Sequence, residues 1–307
     1  MTTVLVLGGG PDAEREVSLS SAREIAQALR KNDALTVVEH TIDRITQGEI
    51  NALDGDVFFP ALHGAFGEGG PLQDLLERDG RPYVGCGPRT ARLAMDKIAA
   101  KLVASRMGIN TPEACLLNLA DDVCPIGLPV VVKPTHEGSS VGLHICRTEQ
   151  QWAQALDAAR KDKTTNPNRN YMVERLIQGR ELTVGLLDNA PLPTIHIAPA
   201  SGTYDYDAKY NRDDTRYIIE PDLPQGIDAV LAEHAVKLAE TLGVRHVARV
   251  DFILDVNDIP WLIEINTMPG FTTHSLVPMA AGRKGFAMDR LCSWLIEIAV
   301  RDAQVAA

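Results

Sequence analysis

Apolar and polar positions divide the chain into short elements of two periods. Val4–Leu7 is an apolar run that stops at Gly8-Gly9-Gly10, after which Ala22, Ile25, Ala26 and Leu29 recur at helical spacing. Leu35–Glu39 and Asp56–Leu62 read as further strands, so the first stretch alternates strand and helix and predicts a small parallel α/β unit. Gly85-Cys86-Gly87-Pro88 reads as a linker. Arg89–Met107 follows as a single predicted helix, ended by Gly108 and Thr111-Pro112. Val130–Pro134 is a predicted strand running into a loop, His136 to Gly142. Gln150–Arg160 reads as a helix and Tyr171–Arg175 as a strand. A third unit begins near Gly179, where Glu181–Leu187 and Leu192–Ile197 form a predicted hairpin around Asp188-Asn189. A polar, tyrosine-rich loop, Ser201 to Arg216, precedes a helix striped by Leu231, Ala235, Leu238 and Leu242. Leu291, Leu295 and Ile298 stripe a closing helix. The expected division is 1–88, 89–179 and 180–307.

Two late strands change the picture from fold to chemistry. Arg249-Val250-Asp251 and Trp261–Asn266 both have strand character, with turn residues Asn257, Asp258 and Pro260 between them. Alternate side chains of a strand share a face. As hairpin neighbours, the strands would therefore gather Arg249, Asp251, Glu264 and Asn266 on one side. Such oxygen ligands suit Mg²⁺, which binds through one or two carboxylates plus substrate phosphates. A metal–nucleotide site is the expectation.

Composition narrows the partners. The 307 residues are 45% hydrophobic and 23% charged, with a net charge of −11 and no basic stretch, so a nucleic-acid or anionic-membrane surface is not expected. The N-terminus lacks the basic start and long apolar run of a signal peptide, and no stretch reaches the ~18 apolar residues of a membrane helix. Five cysteines without CxxC spacing fit reduced, structural thiols in a cytoplasmic protein.

Other residues carry two readings each. Gly8-Gly9-Gly10 is either a tight turn or an anion-facing loop; it is not GxGxxG, which argues against a dehydrogenase, and no GxxxxGK[ST] occurs. Glu14 and Glu16 are either dipole-stabilising surface charges or a holder for a substrate ammonium. Lys133 ends an apolar strand before Glu137-Gly138-Ser139-Ser140-Val141-Gly142, and could meet phosphate beneath a loop of backbone donors. By itself Lys97 reads as a solvated helix charge and His63 as a structural histidine. Strand-end placement nevertheless favours a site role for His63. Glu174 and Glu181 are either edge-strand acids or acceptors for an adenine amino group and ribose hydroxyls. The Tyr204–Tyr210 segment lies in a loop long enough to be a lid.

Taken in order, these motifs resemble the ATP-grasp fold and, within it, the D-alanine:D-alanine ligase family. The resemblance spans the chain: Gly9-Gly10 with Glu14-Arg15-Glu16-Val17-Ser18, His63-Gly64 with Gly67-Glu68, Met95-Asp96-Lys97, Lys133-Pro134 with the Glu137–Gly142 loop, Tyr204–Tyr210, Arg249-Val250-Asp251, Glu264–Thr267, Pro269-Gly270 and His274–Pro278. It implies an α/β, three-domain ATP-grasp architecture with a small doubly wound N-terminal domain. The implied reaction joins two D-alanines through an acyl phosphate, at the expense of ATP, for peptidoglycan precursor synthesis. Asp251, Glu264 and Asn266 would hold two Mg²⁺ ions, with Mn²⁺ able to substitute. Lys97, Lys133, Lys209 and Ser140 would meet the phosphates. Glu174, Leu176, Ile177 and Glu181 would meet the nucleoside. Glu14 and His63 would bind the first D-alanine, and Ser275 and Leu276 the second. Arg249 and the Gly270 N–H would stabilise the oxyanion. Glu14, Ser139 and Tyr210 would form the triad that closes the lid, with Tyr210 favouring D-alanine over D-lactate as second substrate. A homodimer is also implied. Two departures stand out: Gly69-Gly70 where the family usually carries an acidic or amide residue before glycine, and Arg175-Leu176 where many members carry Lys-Trp. Another ATP-grasp carboxylate–amine ligase is the nearest competing expectation. A non-catalytic nucleotide module would have lost a metal ligand or a phosphate lysine.

Overall fold

The computed structural model describes residues 1–138, 142–199 and 214–306. Its N-terminal sheet is three-stranded and parallel, in the order β2-β1-β3, from β1 (Thr2–Gly9), β2 (Leu35–Ile42) and β3 (Val57–Pro60). Helix α1 (Arg15–Leu29) covers one face, packing Ala22, Ile25 and Leu29 on Val4, Val6 and Phe59. Helices α2 (Gln47–Ala52) and α4 (Pro71–Asp79), with the short α3 (Gly64–Gly67) between β3 and α4, lie on the other side, where Ile50, Leu72 and Leu76 meet Leu5, Leu7 and Phe58. Both faces are thus buried, as the near-continuous apolar strands require. The Gly8–Gly10 run ends β1: Gly9 and Gly10 have φ of +100° and +95°, and a Cβ on Gly9 would lie 2.5 Å from the Ile42 carbonyl oxygen.

The predicted helix 89–107 is two helices, α5 (Pro88–Met95) and α6 (Lys97–Arg106). Asp96 breaks it. Its backbone is extended (φ −75°, ψ 100°), and its carboxylate accepts from the N–H groups of Ile98 and Ala99, making it the N-cap of α6. The break turns Lys97 out of a solvated helix face and into the interior.

An antiparallel sheet of order β4-β7-β5-β6 follows, from β4 (Ala114–Leu116), β5 (Val130–Pro134), β6 (His144–Cys146) and β7 (Tyr171–Arg175). Helix α7 (Glu149–Thr165) packs Trp152, Ala155, Leu156 and Ala159 on one face of it. The third sheet has β8 (Gly179–Leu187), β9 (Ala190–Pro191), β10 (Ile195–Ala198), β11 (Arg216–Ile219), β12 (Val247–Asp255) and β13 (Pro260–Asn266), in the order β11-β10-β8-β12-β13 with β9 beside β8. The hairpin turn at Asp188-Asn189 is present, both residues at positive φ. Its immediate return strand is the short β9, and β10 rejoins β8 further along, opposite Glu181–Thr183. Helix α8 (Ile227–Leu242) lays its predicted stripe on this sheet. Helix α9 (Leu276–Arg283) packs on β8 and on α10 (Met288–Ala306), and α10 packs back against α1 and β3 of the N-terminal unit.

Cys86, Ala94, Ala100, Ala104 and Ile109 share a cluster with Leu182, Val250 and Leu262 of the third sheet. All five cysteines are unpaired, and burial raises the Cys86 and Cys146 thiols to about 11. No helix among the described residues is long and apolar enough to cross a membrane.

Candidate active site

The last two strands meet as the alternation requires. Asp251 pairs with Glu264, and Arg249 with Asn266, so all four lie on one face of the sheet. Asp251 is held from two directions. Arg249 forks onto it, Nε to Oδ1 at 2.9 Å and Nη2 to Oδ2 at 2.8 Å, and Thr183 of β8 donates to Oδ1 at 2.6 Å. The Asn266 amide oxygen accepts from the Met268 N–H at 2.8 Å, leaving a second lone pair. Among the described residues no group of three or more His, Cys, Asp or Glu side chains is placed to hold a metal ion by itself. Two facing carboxylates with an amide oxygen fit Mg²⁺, which completes its shell with water and phosphate oxygens, better than they fit a metal needing an all-protein cage.

This face and the concave side of the β4–β7 sheet enclose a cavity of about 460 Å³. Val131 and Ile145 form one aliphatic wall, and Ile253 and Ile263 the other. The crossing segment Glu174–Glu181, with Leu176 and Ile177, closes one end, and Lys97, Asp251 and Glu264 stand at the other. Lys133 and Glu174 are diagonal neighbours on β5 and β7, joined Nζ to Oε1 at 2.5 Å. Glu174 is buried, and its carboxyl lies below the usual range: burial opposes ionisation, and Lys101 and Lys133 together overcome it.

A smaller cavity adjoins the first. Lys97, Glu137 and Glu264 line both, and the smaller one adds Glu68, Gly138 and Asn266. Lys97 Nζ donates to the Glu137 carbonyl at 2.6 Å and lies 3.3 Å from Glu264. Glu14 is buried at the N-terminus of α1 without capping it, whereas Glu16 is an exposed first-turn acid. Gly138 approaches Glu14 so closely that a Cβ there would lie 2.9 Å from Oε2. His63 is buried, and among the described residues its Nε2 has no hydrogen-bond partner. Burial, more than the opposing pull of Glu14, holds its pKa below the ordinary value and keeps the ring neutral at pH 7. Burial, reinforced by Glu14, pushes the Glu68 carboxyl well above the usual range.

Ser18 ties this end together. Its Oγ accepts from the Gly9 N–H at 2.9 Å and donates to the Ala61 carbonyl at 2.7 Å, pinning the ends of β1 and β3 to α1. Ser21 and Glu24 of the same helix accept from the Phe271 and Thr273 N–H groups, which fixes the Pro269–Ser275 turn. In that turn a Cβ on Gly270 would lie 2.9 Å from Ser275 Oγ, so the Gly270 backbone sits directly against that hydroxyl. Ser275 Oγ accepts from the Thr272 N–H at 2.9 Å. The Leu276 side chain is buried in the core, which leaves its backbone N–H as the group available for a ligand.

A profile described as "D-ala D-ala ligase C-terminus" matches residues 110–297, more than half of the chain. The chain is 40% identical over 301 residues to a D-alanine–D-alanine ligase of Nitrosomonas europaea, covering 96% of both, and 42% identical over 310 residues to one from Laribacter hongkongensis, also covering 96% of both.

The chain belongs to the D-alanine–D-alanine ligase family.

Its fold is that of the ATP-grasp ligases. The structure resembles the D-alanine–D-alanine ligase of Bacillus anthracis crystallised with ATP, with a TM-score of 0.84 and 27% identity over all of both chains.

Of the residues singled out from the sequence, Lys97, Lys133, Glu174, Leu176, Ile177, Glu181, Asp251 and Glu264 line the larger cavity, and Asn266 lines the smaller. Ser139, Ser140, Lys209 and Tyr210 lie outside the described residues. Sequence reasoning placed Ser18 and Glu68 in the motifs of the resemblance without a role, and missed Lys101 and Thr183, although Lys101 is one helical turn beyond Lys97 and Thr183 two strand positions beyond Glu181.

Proposed function

We propose that the protein joins two D-alanines into D-alanyl-D-alanine, with conversion of ATP to ADP and phosphate, as a step in making peptidoglycan precursors in the cytoplasm. One observation carries most of this reading: the two cavities share Lys97, Glu137 and Glu264 as a common wall. A γ-phosphate in the larger cavity and a small carboxylate in the smaller would meet there. The purine would lie between the aliphatic walls, with Glu174 and Glu181 accepting from its amino group and from the ribose. Lys97 and Lys133, with Lys209 and Ser140 from the loops, would offset phosphate charge. Asp251, Glu264 and Asn266 would hold two Mg²⁺ ions; bound Mg²⁺ supplies charge neutralisation and alignment of the phosphates. Mn²⁺ fits the same oxygen set.

Glu14 would hold the ammonium of the first D-alanine, beside neutral His63. The carboxylate of that D-alanine attacks the γ-phosphorus and ADP leaves. The amine of the second D-alanine then attacks the acyl carbonyl, with Arg249 and the Gly270 N–H facing the developing oxyanion, and phosphate departs. The Ser275–Leu276 start of α9 would receive the second carboxylate at its positive end. Closure by Ser139 and Tyr210 toward Glu14 would exclude water, so that the acyl phosphate meets an amine rather than hydrolysing. The active form is read as a homodimer, to be checked by sedimentation.

ADP release followed with Mg²⁺ and ATP, and with D-alanine, L-alanine, D-serine or D-lactate added, tests the reading. Turnover that requires D-alanine, with one dipeptide formed per ADP, is expected. ATP binding without D-alanine-dependent turnover would overturn the substrate assignment.

A further inference from the structure

Behind the wall of the larger cavity lies a second buried lysine. Lys101 sits on α6, one turn after Lys97, and is only 5% exposed. Its Nζ donates to Thr111 Oγ1 at 2.9 Å and to the Leu262 carbonyl at 3.3 Å, and it lies 2.9 Å from Glu174 Oε2 as an ion pair. Lys101 itself does not line the cavity, but Glu174 does. Glu174 therefore stands between two lysines. Lys133 holds Oε1 from inside the cavity, and Lys101 holds Oε2 from behind.

A buried carboxylate with two cations is costly to assemble, and paired buried charges are often no better than apolar packing, so stability alone is a weak reason for it. Its geometry suggests the purpose. Each carboxylate oxygen has two lone pairs. With a lysine cation paired to each oxygen, the carboxylate stays ionised and its free lone pairs can accept only from a donor. A purine with an exocyclic amino group supplies one. A purine with a carbonyl at that position presents oxygen to oxygen and leaves both unpaired. Without Lys101, Oε2 loses its rear anchor. The carboxyl can then rotate or take up a proton, and a protonated carboxyl can donate to a carbonyl.

We propose that Lys101 is a positioning residue for nucleotide choice: by holding Glu174 Oε2 from behind the cavity, it fixes Glu174 as an acceptor and so makes the site select adenine over guanine nucleotides. This inference rests on the reading that Glu174 meets the purine. Thr111 is part of the device, because it anchors the lysine that anchors the glutamate.

The test measures Kd for ATP and for GTP by titration, and kcat/KM for both with saturating D-alanine, in the wild type, Lys101→Met, Lys101→Arg and Thr111→Val. Lys101→Met is expected to lower the ATP:GTP preference at least tenfold, with KM for D-alanine unchanged. Lys101→Arg, which keeps the charge, is expected to retain most of the preference. Thr111→Val is expected to fall between, and it provides the same readout if Lys101→Met does not fold. A thermal midpoint that drops in Lys101→Met or Thr111→Val while the ATP:GTP ratio stays at the wild-type value would overturn the proposal, because that is the signature of a purely structural lysine. Equal wild-type affinity for ATP and GTP would also overturn it, with the ligase reading intact. Absence of D-alanine-dependent ADP release with ATP would strike the ligase reading instead.

Discussion

Replacing Ser18 by alanine removes one oxygen and exposes the logic of the substrate end. Ser18 is fully buried, and its hydroxyl serves two backbone groups, accepting from Gly9 N–H at 2.9 Å and donating to Ala61 O at 2.7 Å. The space vacated by one oxygen is too small for a water, so both partners would be left unpaired in the interior. An unsatisfied buried donor or acceptor costs about 1–3 kcal/mol. Two such groups, partly relieved by small shifts, should cost about 3 kcal/mol in all. The loss should appear as a lower urea midpoint at unchanged slope. Faster amide exchange should be confined to peptides covering β1 and β3. Because Glu14 and His63 hang from the segments that Ser18 joins, KM for D-alanine should rise about tenfold, equivalent to about 1.4 kcal/mol of misplacement, while KM for ATP stays constant. Ser20→Ala, on a half-buried position of the same helix, should change stability by less than ~0.5 kcal/mol. If Ser18→Ala matched that control in both stability and D-alanine KM, the argument from two orphaned backbone groups would be refuted.

Three further outcomes are expected. Thr183→Val keeps the shape of a fully buried side chain but removes the 2.6 Å hydrogen bond to Asp251; the Mg²⁺ concentration for half-maximal turnover should rise about tenfold, in the range seen when groups orienting a metal ligand are lost, and an unchanged Mg²⁺ titration would contradict it. Gly138→Ala would put a methyl 2.9 Å from Glu14 Oε2, so KM for D-alanine should rise while the thermal midpoint is kept; equal kinetics would mean the loop yields freely. His246 is buried neutral, Nδ1 accepting from the Gly85 N–H at 2.9 Å and Nε2 facing Asp302, with Arg245 and Asp188 nearby; burial pulls its pKa down to about 4. Its folded pKa lies below the unfolded value of ~6.5, so its contribution is complete above that pH and is lost as pH falls from 6.5 toward 4, by roughly 3 kcal/mol in full. His246→Asn, which keeps an acceptor and tolerates the φ of 68° found there, should flatten stability between pH 7 and 5, measured by urea unfolding at each pH.

Most elements, and the face that four candidate site residues share, are legible in the residue pattern. Alternation along β12 and β13 put Arg249, Asp251, Glu264 and Asn266 on one face, because the period of a strand is two and its register is held by the buried residues between. The apolar runs of β1 and β3 announced strands buried on both sides, and the helical stripes of α1 and α8 lie where their spacing placed them. What those residues meet is set by the packing of elements distant in the chain. Asp96 could not be recognised as a helix break within a helical pattern, since its capping bonds become favourable once Lys97 has Glu137 and Glu264 to turn toward. Nor could the sequence assign α5 and α6 to the third sheet, because an apolar stripe specifies a face to bury and not the partner that buries it. Ser18 and Lys101 are ordinary helix residues in the sequence. They acquire roles because Ala61 lies 43 positions from the one, and Glu174 and Leu262 lie far along the chain from the other. Hydrogen bonds and ion pairs of that range depend on the packing of whole elements, and no local pattern encodes them.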